Sequence, residues 1–150
     1  MTKKLMLNLG CGKVKIPDSN EEHWINVDIL DAPSVDLKKN LWVLPWYNWK
    51  DNSVSGIVMS HIVEHIPHDL FRWNLRPSLP WEKWRKHLLE LDGFFAVFEE
   101  CYRILKPNGT IWISGTYHSI YQCGYALQSN GYHILNDIFW FMLKAAPNLR

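Results

Sequence analysis

The chain has 150 residues, a length usual for one domain and long enough to bury about two thirds of its unfolded surface. Apolar residues make up 47% and charged residues 21%, as in globular proteins. Sixteen Lys and Arg nearly balance fifteen Asp and Glu, which argues against a strong overall field for nucleic acid or an anionic membrane. We therefore predict a single domain over residues 1–150.

The cysteines and the chain start also narrow the class of protein. The chain has three cysteines, an odd number at wide spacing and without a CxxC pair, which argues against a disulfide framework: Cys11, Cys101 and Cys123. The apolar run after the basic start is too short for a signal peptide. No apolar stretch approaches the ~20 residues of a membrane span. We expect a cytoplasmic chain with no membrane segment and no obligate protein partner.

The first half of the chain predicts four strands. Leu5–Leu9 reads as a short buried strand that ends in a glycine corner, Gly10-Cys11-Gly12. A polar segment containing Pro17 follows and predicts a loop. The other predicted strands are Trp24–Val27, which Asp28 closes, a short one within Pro33–Asn40, and Gly56–Ser60.

The second half predicts helices between further strands. The clearest is a helix over Phe94–Leu105, whose apolar residues recur at helical spacing and which ends before Pro107. The remaining predicted elements are helices over His61–Ile66, Trp81–Leu91 and Ser119–Gln128 (with Ser119 as N-cap), and strands over Thr110–Ser114 and Tyr132–Phe141. Such alternation predicts an α/β fold with a mainly parallel sheet.

The glycine corner and Asp28 form the most informative pair of features. In a doubly wound sheet, the turn after the first strand lies where ligands bind, and glycine lets a ligand approach the backbone. A carboxylate at the end of the second strand can accept hydrogen bonds from ribose hydroxyls. On these residues alone, a tight turn with a solvated carboxylate is the alternative. NAD is disfavoured, because Val14 and Pro17 oppose the helix N-terminus that a pyrophosphate needs.

Several motifs resemble class I S-adenosylmethionine-dependent methyltransferases, in particular the type 11 branch. The residues that carry this resemblance lie in family order between residues 5 and 115: Asn8–Gly12, Trp24–Asp28, Leu44-Pro45-Trp46, Asp51-Asn52-Ser53, Ser60–Ile66 and Arg103–Gly109. The resemblance implies a Rossmann-like three-layer sandwich and S-adenosylmethionine as cofactor. Because such enzymes continue beyond Trp140 with at least one more strand, we expect the fold to be truncated or minimal at its C-terminus.

The same resemblance implies roles for individual residues. The corner would face the methionine part of the cofactor, Asp28 would bind the ribose hydroxyls, and Asn40 and Leu41 would flank the adenine. Ser60 and His61 would lie beside the reactive methyl group. The implied cofactor-binding set is thus Asn8, Leu9, Gly10, Cys11, Gly12, Asp28, Asn40, Leu41 and Ser60.

His61 is the candidate catalytic residue, as a general base, because imidazole can accept a proton near neutral pH. His61 and His65 lie four residues apart and, with Glu64 between them, could suggest a metal site. No third ligand of a usual metal set is evident, so we expect no metal.

A second resemblance covers the C-terminal part and indicates a substrate. Leu105–Arg150 resembles part of the amino-group DNA methyltransferases, through Gly109–Ile113, Gly115–His118, Ile134–Trp140 and Ala146–Leu149. Those enzymes hold the target amino group with an Asp/Asn/Ser-Pro-Pro-aromatic tetrapeptide, and this chain has Ser60-His61-Ile62-Val63 at the equivalent strand end. The sequence therefore predicts a methyltransferase whose acceptor is a small molecule or a nucleic acid. The alternatives are adenine-N6 or cytosine-N4 methylation of DNA, and an inactive adenosyl- or nucleic-acid-binding fragment.

Overall fold

The computed structural model describes residues 2–66 and 93–138. Its centre is a five-stranded sheet in the order β3-β2-β1-β4-β5, in which every neighbouring pair is parallel. The strands are β1 Lys4–Leu9, β2 Glu22–Asp28, β3 Leu37–Lys38, β4 Val54–Ser60 and β5 Leu105–Ser114. The predicted α/β Rossmann-like fold with a parallel sheet is confirmed. The strand order reverses between β1 and β4, and a crevice for ligands is expected at the carboxyl ends of those two strands.

One face of the sheet is aliphatic across four strands. Side chains alternate between the two faces of a strand, and the register aligns two apolar rows on the same face: Leu7, Ile25, Ile57 and Ile111, then Leu9, Val27, Met59 and Ile113. Leu7, Leu9, Val27 and Met59 have no exposed surface. This face carries the main core of the fold.

Two helices lie in the same core cluster. They are α1, Gly93–Ile104, and α2, Tyr117–Ser129, which contact each other. Val97, Phe98, Cys101 and Ile104 of α1 and Cys123 and Ala126 of α2 are buried together with the aliphatic rows. The predicted helix over Phe94–Leu105 is therefore confirmed within one residue at each end, and its apolar face is the one that packs on the sheet.

The opposite face of the sheet is more polar and less covered. Its rows contain Met6, Trp24, Gly56 and Thr110, then Asn8, Asn26, Val58 and Trp112. Trp112 is 58% exposed. Among the described residues, this face is covered near Asn8 and Asn26 by a loop, residues 13–16, and by no helix. The loop predicted from Pro17 thus takes the position of a first crossover helix.

Three predicted elements differ from the structure. His61–Ile66 is a short 3₁₀ turn over Val63–His65, because Ile66 precedes Pro67 and leaves the helical region. The helix predicted from Ser119 begins at Tyr117 with Thr116 as N-cap, and the Ser119 hydroxyl donates to the Thr116 carbonyl at 3.0 Å. The strand predicted from Tyr132 is irregular over residues 132–138, where the Tyr132 hydroxyl instead donates to the Phe98 carbonyl of α1.

The strands otherwise match their predicted positions with small extensions. β2 and β4 begin two residues earlier than predicted, and β3 falls within Pro33–Asn40. β5 begins at Leu105, because Leu105 pairs with Val54 before the register jumps to Gly56 with Thr110. The predicted helix over Trp81–Leu91 and the end of the final strand, residues 139–141, lie outside the described residues.

Candidate functional site

The glycine corner follows β1 at the reversal of strand order. Gly10 and Gly12 have positive φ angles, +71° and +54°, which L-residues with a side chain rarely adopt. The Gly10 and Cys11 amides both donate to the Val27 carbonyl, at 2.8 and 3.1 Å, and so fix the corner to the end of β2. A Cβ atom added at Gly12 would meet no atom within 4 Å. The corner therefore presents bare backbone to open space at Gly12.

Asp28 lies directly against this corner. One carboxylate oxygen accepts the Gly12 amide at 2.8 Å, and the other accepts the Leu30 amide at 3.0 Å. The side chain is only partly buried. Since each carboxylate oxygen has two lone pairs, Asp28 keeps capacity for further donors while it shapes the corner. The proximity of Asp28 and the corner that the sequence predicts is present.

The side chains of Asn8 and Leu9 are buried more deeply than those of residues that contact a ligand. Leu9 is fully buried in the aliphatic face, and Asn8 is 4% exposed. The Asn8 amide donates to the Val14 carbonyl at 3.1 Å and to Asn26 Oδ1 at 2.9 Å. Both side chains therefore support the corner from within the sheet and do not line its open side.

Asn40 and Leu41 follow β3. The Lys39 amide donates to the Asp28 carbonyl at 2.7 Å, so this segment begins beside the end of β2. The Asn40 side chain is exposed and accepts the Trp42 amide at 2.9 Å. Leu41 is buried, and its carbonyl accepts the Trp46 indole N–H at 3.1 Å. Of the two residues, only Asn40 presents its side chain at the surface.

The ends of β4 and β5 form the other side of the crevice. Ser60 and Ser114 are register partners, and their hydroxyl oxygens are 2.9 Å apart. The next residue, His61, has φ +53°, and its amide donates to the Ser114 carbonyl at 2.9 Å. A left-handed conformation in a histidine is uncommon, and such strain is concentrated at functional sites.

The His61 ring is exposed, with 71% of its side-chain surface accessible. Its Nδ1 atom lies 3.4 Å from Glu64 Oε1, and the same oxygen accepts the Thr116 amide at 2.9 Å. Glu64 therefore connects the turn after β4 with the start of α2. The other ring nitrogen of His61, Nε2, takes no part in the contact with Glu64. His61 and His65 do not share a helix face, because the turn between them is 3₁₀.

Ile62 joins the two sides of the crevice. A Cβ atom added at Gly10 would lie 2.1 Å from the Ile62 side chain, so the absence of a side chain at Gly10 lets Ile62 pack on the corner. The residues that follow β1 and β4 are thus in direct contact. The sequence reasoning gave Gly10 only a ligand-facing role and did not identify this packing role.

The cysteines are unsuited to act as nucleophiles. All three are free and buried. Burial, with Asp28 nearby, raises the pKa of the Cys11 thiol, and burial also raises the pKa of Cys123, to about 12. A thiol with a raised pKa is a poor nucleophile at neutral pH. Cys11 therefore acts as a small buried residue in the corner.

The described residues contain neither a cluster of metal ligands nor a membrane-spanning helix. No group of three His, Cys, Asp or Glu side chains within residues 2–66 and 93–138 could hold a metal ion. In the same part of the chain, no helix is long and apolar enough to cross a membrane.

Sequence reasoning missed three residues near the site. Ser114 could have been found, since Ser60 and Ser114 end neighbouring predicted strands. Glu64 was considered only as a metal ligand, and its link to Thr116 depends on a turn that the periodicity did not predict. Asn26 lies in the middle of a predicted strand and gave no signal of its own.

Comparison with known proteins identifies the family. The chain is 56% identical over 46 residues to the type II methyltransferases M2.DpnII of Streptococcus pneumoniae and M2.LlaDCHI of Lactococcus lactis subsp. cremoris. Each match covers 31% of this chain and 17% of the relative. The chain is also 39% identical over 69 residues to the type II methyltransferase M.HinfI of Haemophilus influenzae. This match covers 45% of the chain and 19% of the relative. The matched segments thus span less than a fifth of these relatives.

A family model described as DNA methylase matches residues 35–150. That range includes β3, β4, β5, both described helices and the residues at the ends of β4 and β5. The glycine corner and Asp28 precede it. Because the match extends over most of the chain, the protein belongs to the DNA methylase family.

Proposed function

We propose that the chain transfers a methyl group from S-adenosylmethionine to an exocyclic amino group of a base in DNA. The observation that carries this proposal is the open glycine corner with Asp28 against it, at the reversal of strand order. Family membership and the type II methyltransferases among the relatives support DNA as the acceptor.

The corner suits an adenosyl cofactor in shape and charge. The open space at Gly12 admits a ligand against the backbone, and Asp28 offers lone pairs for two ribose hydroxyls. The exposed Asn40 side chain follows Lys39, whose amide donates to the Asp28 carbonyl, and this nearness to Asp28 supports a role for Asn40 beside the adenine. When bound, S-adenosylmethionine supplies an electrophilic methyl carbon attached to a positively charged sulfur.

The ends of β4 and β5 provide the acceptor side. S-adenosylmethionine held by the corner and Asp28 would supply the methyl group to the acceptor nitrogen, with S-adenosylhomocysteine as the second product. The nitrogen then carries a surplus proton, which His61 Nε2 accepts. Ser60 and Ser114 can orient the amino group through their hydroxyls, and much of the rate enhancement comes from such orientation. These residues would replace the Pro-Pro-aromatic tetrapeptide that the chain lacks.

A labelling experiment tests the proposal. The protein is incubated with methyl-labelled S-adenosylmethionine and duplex DNA of mixed sequence, and the DNA is digested to nucleosides for mass spectrometry. We expect labelled N6-methyladenine or N4-methylcytosine. In a matched reaction, the His61→Ala variant should bind the cofactor as wild type does. It should form product at least about tenfold more slowly, because it has lost the general base.

Three results would overturn the proposal in part or in whole. Cofactor binding by calorimetry without label in DNA would favour the adenosyl-binding fragment. Label on a 5-carbon of cytosine would exclude the amino group as the acceptor. Absence of cofactor binding by the folded protein would remove the methyltransferase proposal altogether.

A further inference from the structure

A buried network of side-chain amides lies behind the glycine corner. Asn26 of β2 has no exposed surface, and all four hydrogen-bonding positions of its side chain are used. Its Nδ2 donates to the Ile16 carbonyl at 3.0 Å and to Asp36 Oδ2 at 2.7 Å. Its Oδ1 accepts the Ile16 amide at 2.8 Å and Asn8 Nδ2 at 2.9 Å. The side chain therefore pairs with both polar groups of the Ile16 backbone, as a neighbouring strand would.

The network holds residues 13–16 at three successive positions. Asn8 binds the Val14 carbonyl, Asp36 forms an ion pair with Lys15, and Asn26 binds Ile16. Asp36 Oδ2 also accepts the Asn26 backbone amide at 3.0 Å. Every one of these contacts comes from a strand or from the segment before β3, so the loop is fixed to the sheet itself.

The same loop is bonded to the corner. The amide of Val14, the first of the anchored residues, donates to the Cys11 carbonyl at 2.9 Å. Ser34, two residues before Asp36, donates its hydroxyl to the Gly12 carbonyl at 2.7 Å. Movement of residues 14–16 away from the sheet would break the Val14–Cys11 bond and remove the support of the corner on this side.

A helix after the first strand would normally position such a corner. Here that connection is a loop in the described structure, and a loop has no internal ladder of hydrogen bonds to fix its ends. We infer that Asn26 is a positioning residue for the adenosyl cofactor, which it never touches: its amide replaces the crossover helix by fixing residues 14–16 and so the Gly10–Gly12 corner. This inference rests on the proposed function, because it names the same cofactor.

The inference predicts an effect on cofactor affinity and not on the chemical step. Asn26→Ala should raise the dissociation constant for S-adenosylmethionine about tenfold or more, since lost buried hydrogen bonds act on the corner. The turnover number at saturating cofactor should change less than about twofold, because Ser60 and His61 lie at the end of β4, whereas the network joins β1, β2 and the segment before β3. The Ile16 amide should lose protection from hydrogen exchange. The control is Asn20→Ala, at an exposed asparagine between β1 and β2. It should leave the dissociation constant, the turnover number and the exchange of the Ile16 amide unchanged.

A pair of variants covers the case in which Asn26→Ala does not fold. Asn26→Asp places a carboxylate beside Asp36 and removes the donor between them, so affinity should fall. Adding Asp36→Asn returns a donor between the two side chains and removes their repulsion, while the Ile16 carbonyl still lacks its donor, so the double variant should recover part of the loss. Such recovery is a coupling between the two sites that a general loss of stability would not produce.

The outcomes separate this inference from the proposed function. Failure of the wild-type protein to bind the cofactor would overturn both. Wild-type binding together with unchanged affinity in folded Asn26→Ala, or in both members of the variant pair, would overturn the positioning role alone. A fall in turnover equal to the loss of affinity would also contradict it, because the network would then act on the chemistry.

Discussion

At the scale of single residues, Asp28 has two tasks that are difficult to separate. Its carboxylate closes the corner by accepting the Gly12 amide, and it keeps lone pairs for further donors. A neutral residue in place of Asp28 would lose both the bond to Gly12 and the capacity for further donors. A carboxylate elsewhere on the same loop would supply neither. This contrast makes a direct test of the cofactor site.

Asp28→Ala should abolish or weaken binding of S-adenosylmethionine by at least about a hundredfold, as expected for the loss of charge-assisted hydrogen bonds from two hydroxyls. Isothermal calorimetry measures the effect. Asp31→Ala is the matched control, because the Asp31 side chain is 91% exposed and its one ion pair among the described residues is with Lys38. Equal affinities of wild type and folded Asp28→Ala would place the cofactor elsewhere.

Asp36 gives the network a defined pH dependence. The Lys15 ammonium first, and then the Asn26 amide, lower the pKa of the Asp36 carboxyl to about 2. A folded-state pKa below the unfolded value of about 3.9 stabilises the fold above that value and loses this contribution as the pH falls through the folded pKa. Urea unfolding should therefore show wild type more stable than Asp36→Asn at pH 6, with the difference shrinking between about pH 4 and pH 2. A difference that grows on acidification would contradict this assignment.

Sequence reasoning was strongest for residues at strand ends. Gly10–Gly12 and Asp28 follow neighbouring parallel strands, and their proximity follows from that alone. It was weaker for Asn8 and Leu9, because a motif does not show which side chains the sheet buries. It could not find Asn26, whose partners Ile16 and Asp36 come together only through the path of a loop.

At the scale of elements, a partly buried ion pair within α1 binds the segment before β4. The Arg103 guanidinium donates to both Glu100 oxygens, at 2.9 and 2.6 Å, and to the Trp46 and Trp49 carbonyls, and it pairs with Asp51. The Glu100 carboxylate also accepts the Trp46 amide at 2.5 Å and is nearly buried. Glu100, followed by Asp51, raises the pKa of Arg103, so this charge persists at every accessible pH.

Arg103→Ala should therefore lower the free energy of unfolding by about 2–3 kcal/mol, because it leaves the Glu100 carboxylate buried without its cation. Urea denaturation monitored by tryptophan fluorescence is a suitable measurement, since Trp46 and Trp49 lie at the affected contact. Lys106→Ala, which removes only a surface contact with Ser55, should change the free energy by less than about 0.5 kcal/mol. Similar values for the two variants would show that the pair contributes little.

Elements with long periodic patterns could be predicted, and short connections could not. The apolar spacing of α1 spans three turns and gave its ends closely. The 3₁₀ turn at Val63–His65 has the composition of a helix start, and Pro67 prevents its continuation. The segment after α2 has strand-like residues, but Tyr132 packs against Tyr102 with ring centroids 5.2 Å apart and follows the helix instead.

At the scale of the whole molecule, the two faces of the sheet have different roles. The aliphatic face, with α1 and α2, supplies the buried core. The opposite face carries the amide network and the exposed Trp112. The site lies at the carboxyl edge where both faces end, so core packing fixes the strand ends while the amide network fixes the loop that follows β1.

This division predicts unequal costs for neighbouring residues of one strand. Ile57 and Val58 are adjacent in β4, but Ile57 faces the core at 2% exposure and Val58 faces the other side, half-buried. Ile57→Ala should lower the free energy of unfolding by about 2–4 kcal/mol, from lost burial and a residual cavity. Val58→Ala should cost less than about 1.5 kcal/mol, because part of its surface is already in water. Chemical denaturation of the two variants under the same conditions, without cofactor, measures both changes in the free energy of unfolding. Equal costs, or a larger cost at Val58, would mean that the second face is as tightly packed as the first, and the core would then extend through both sides of the sheet.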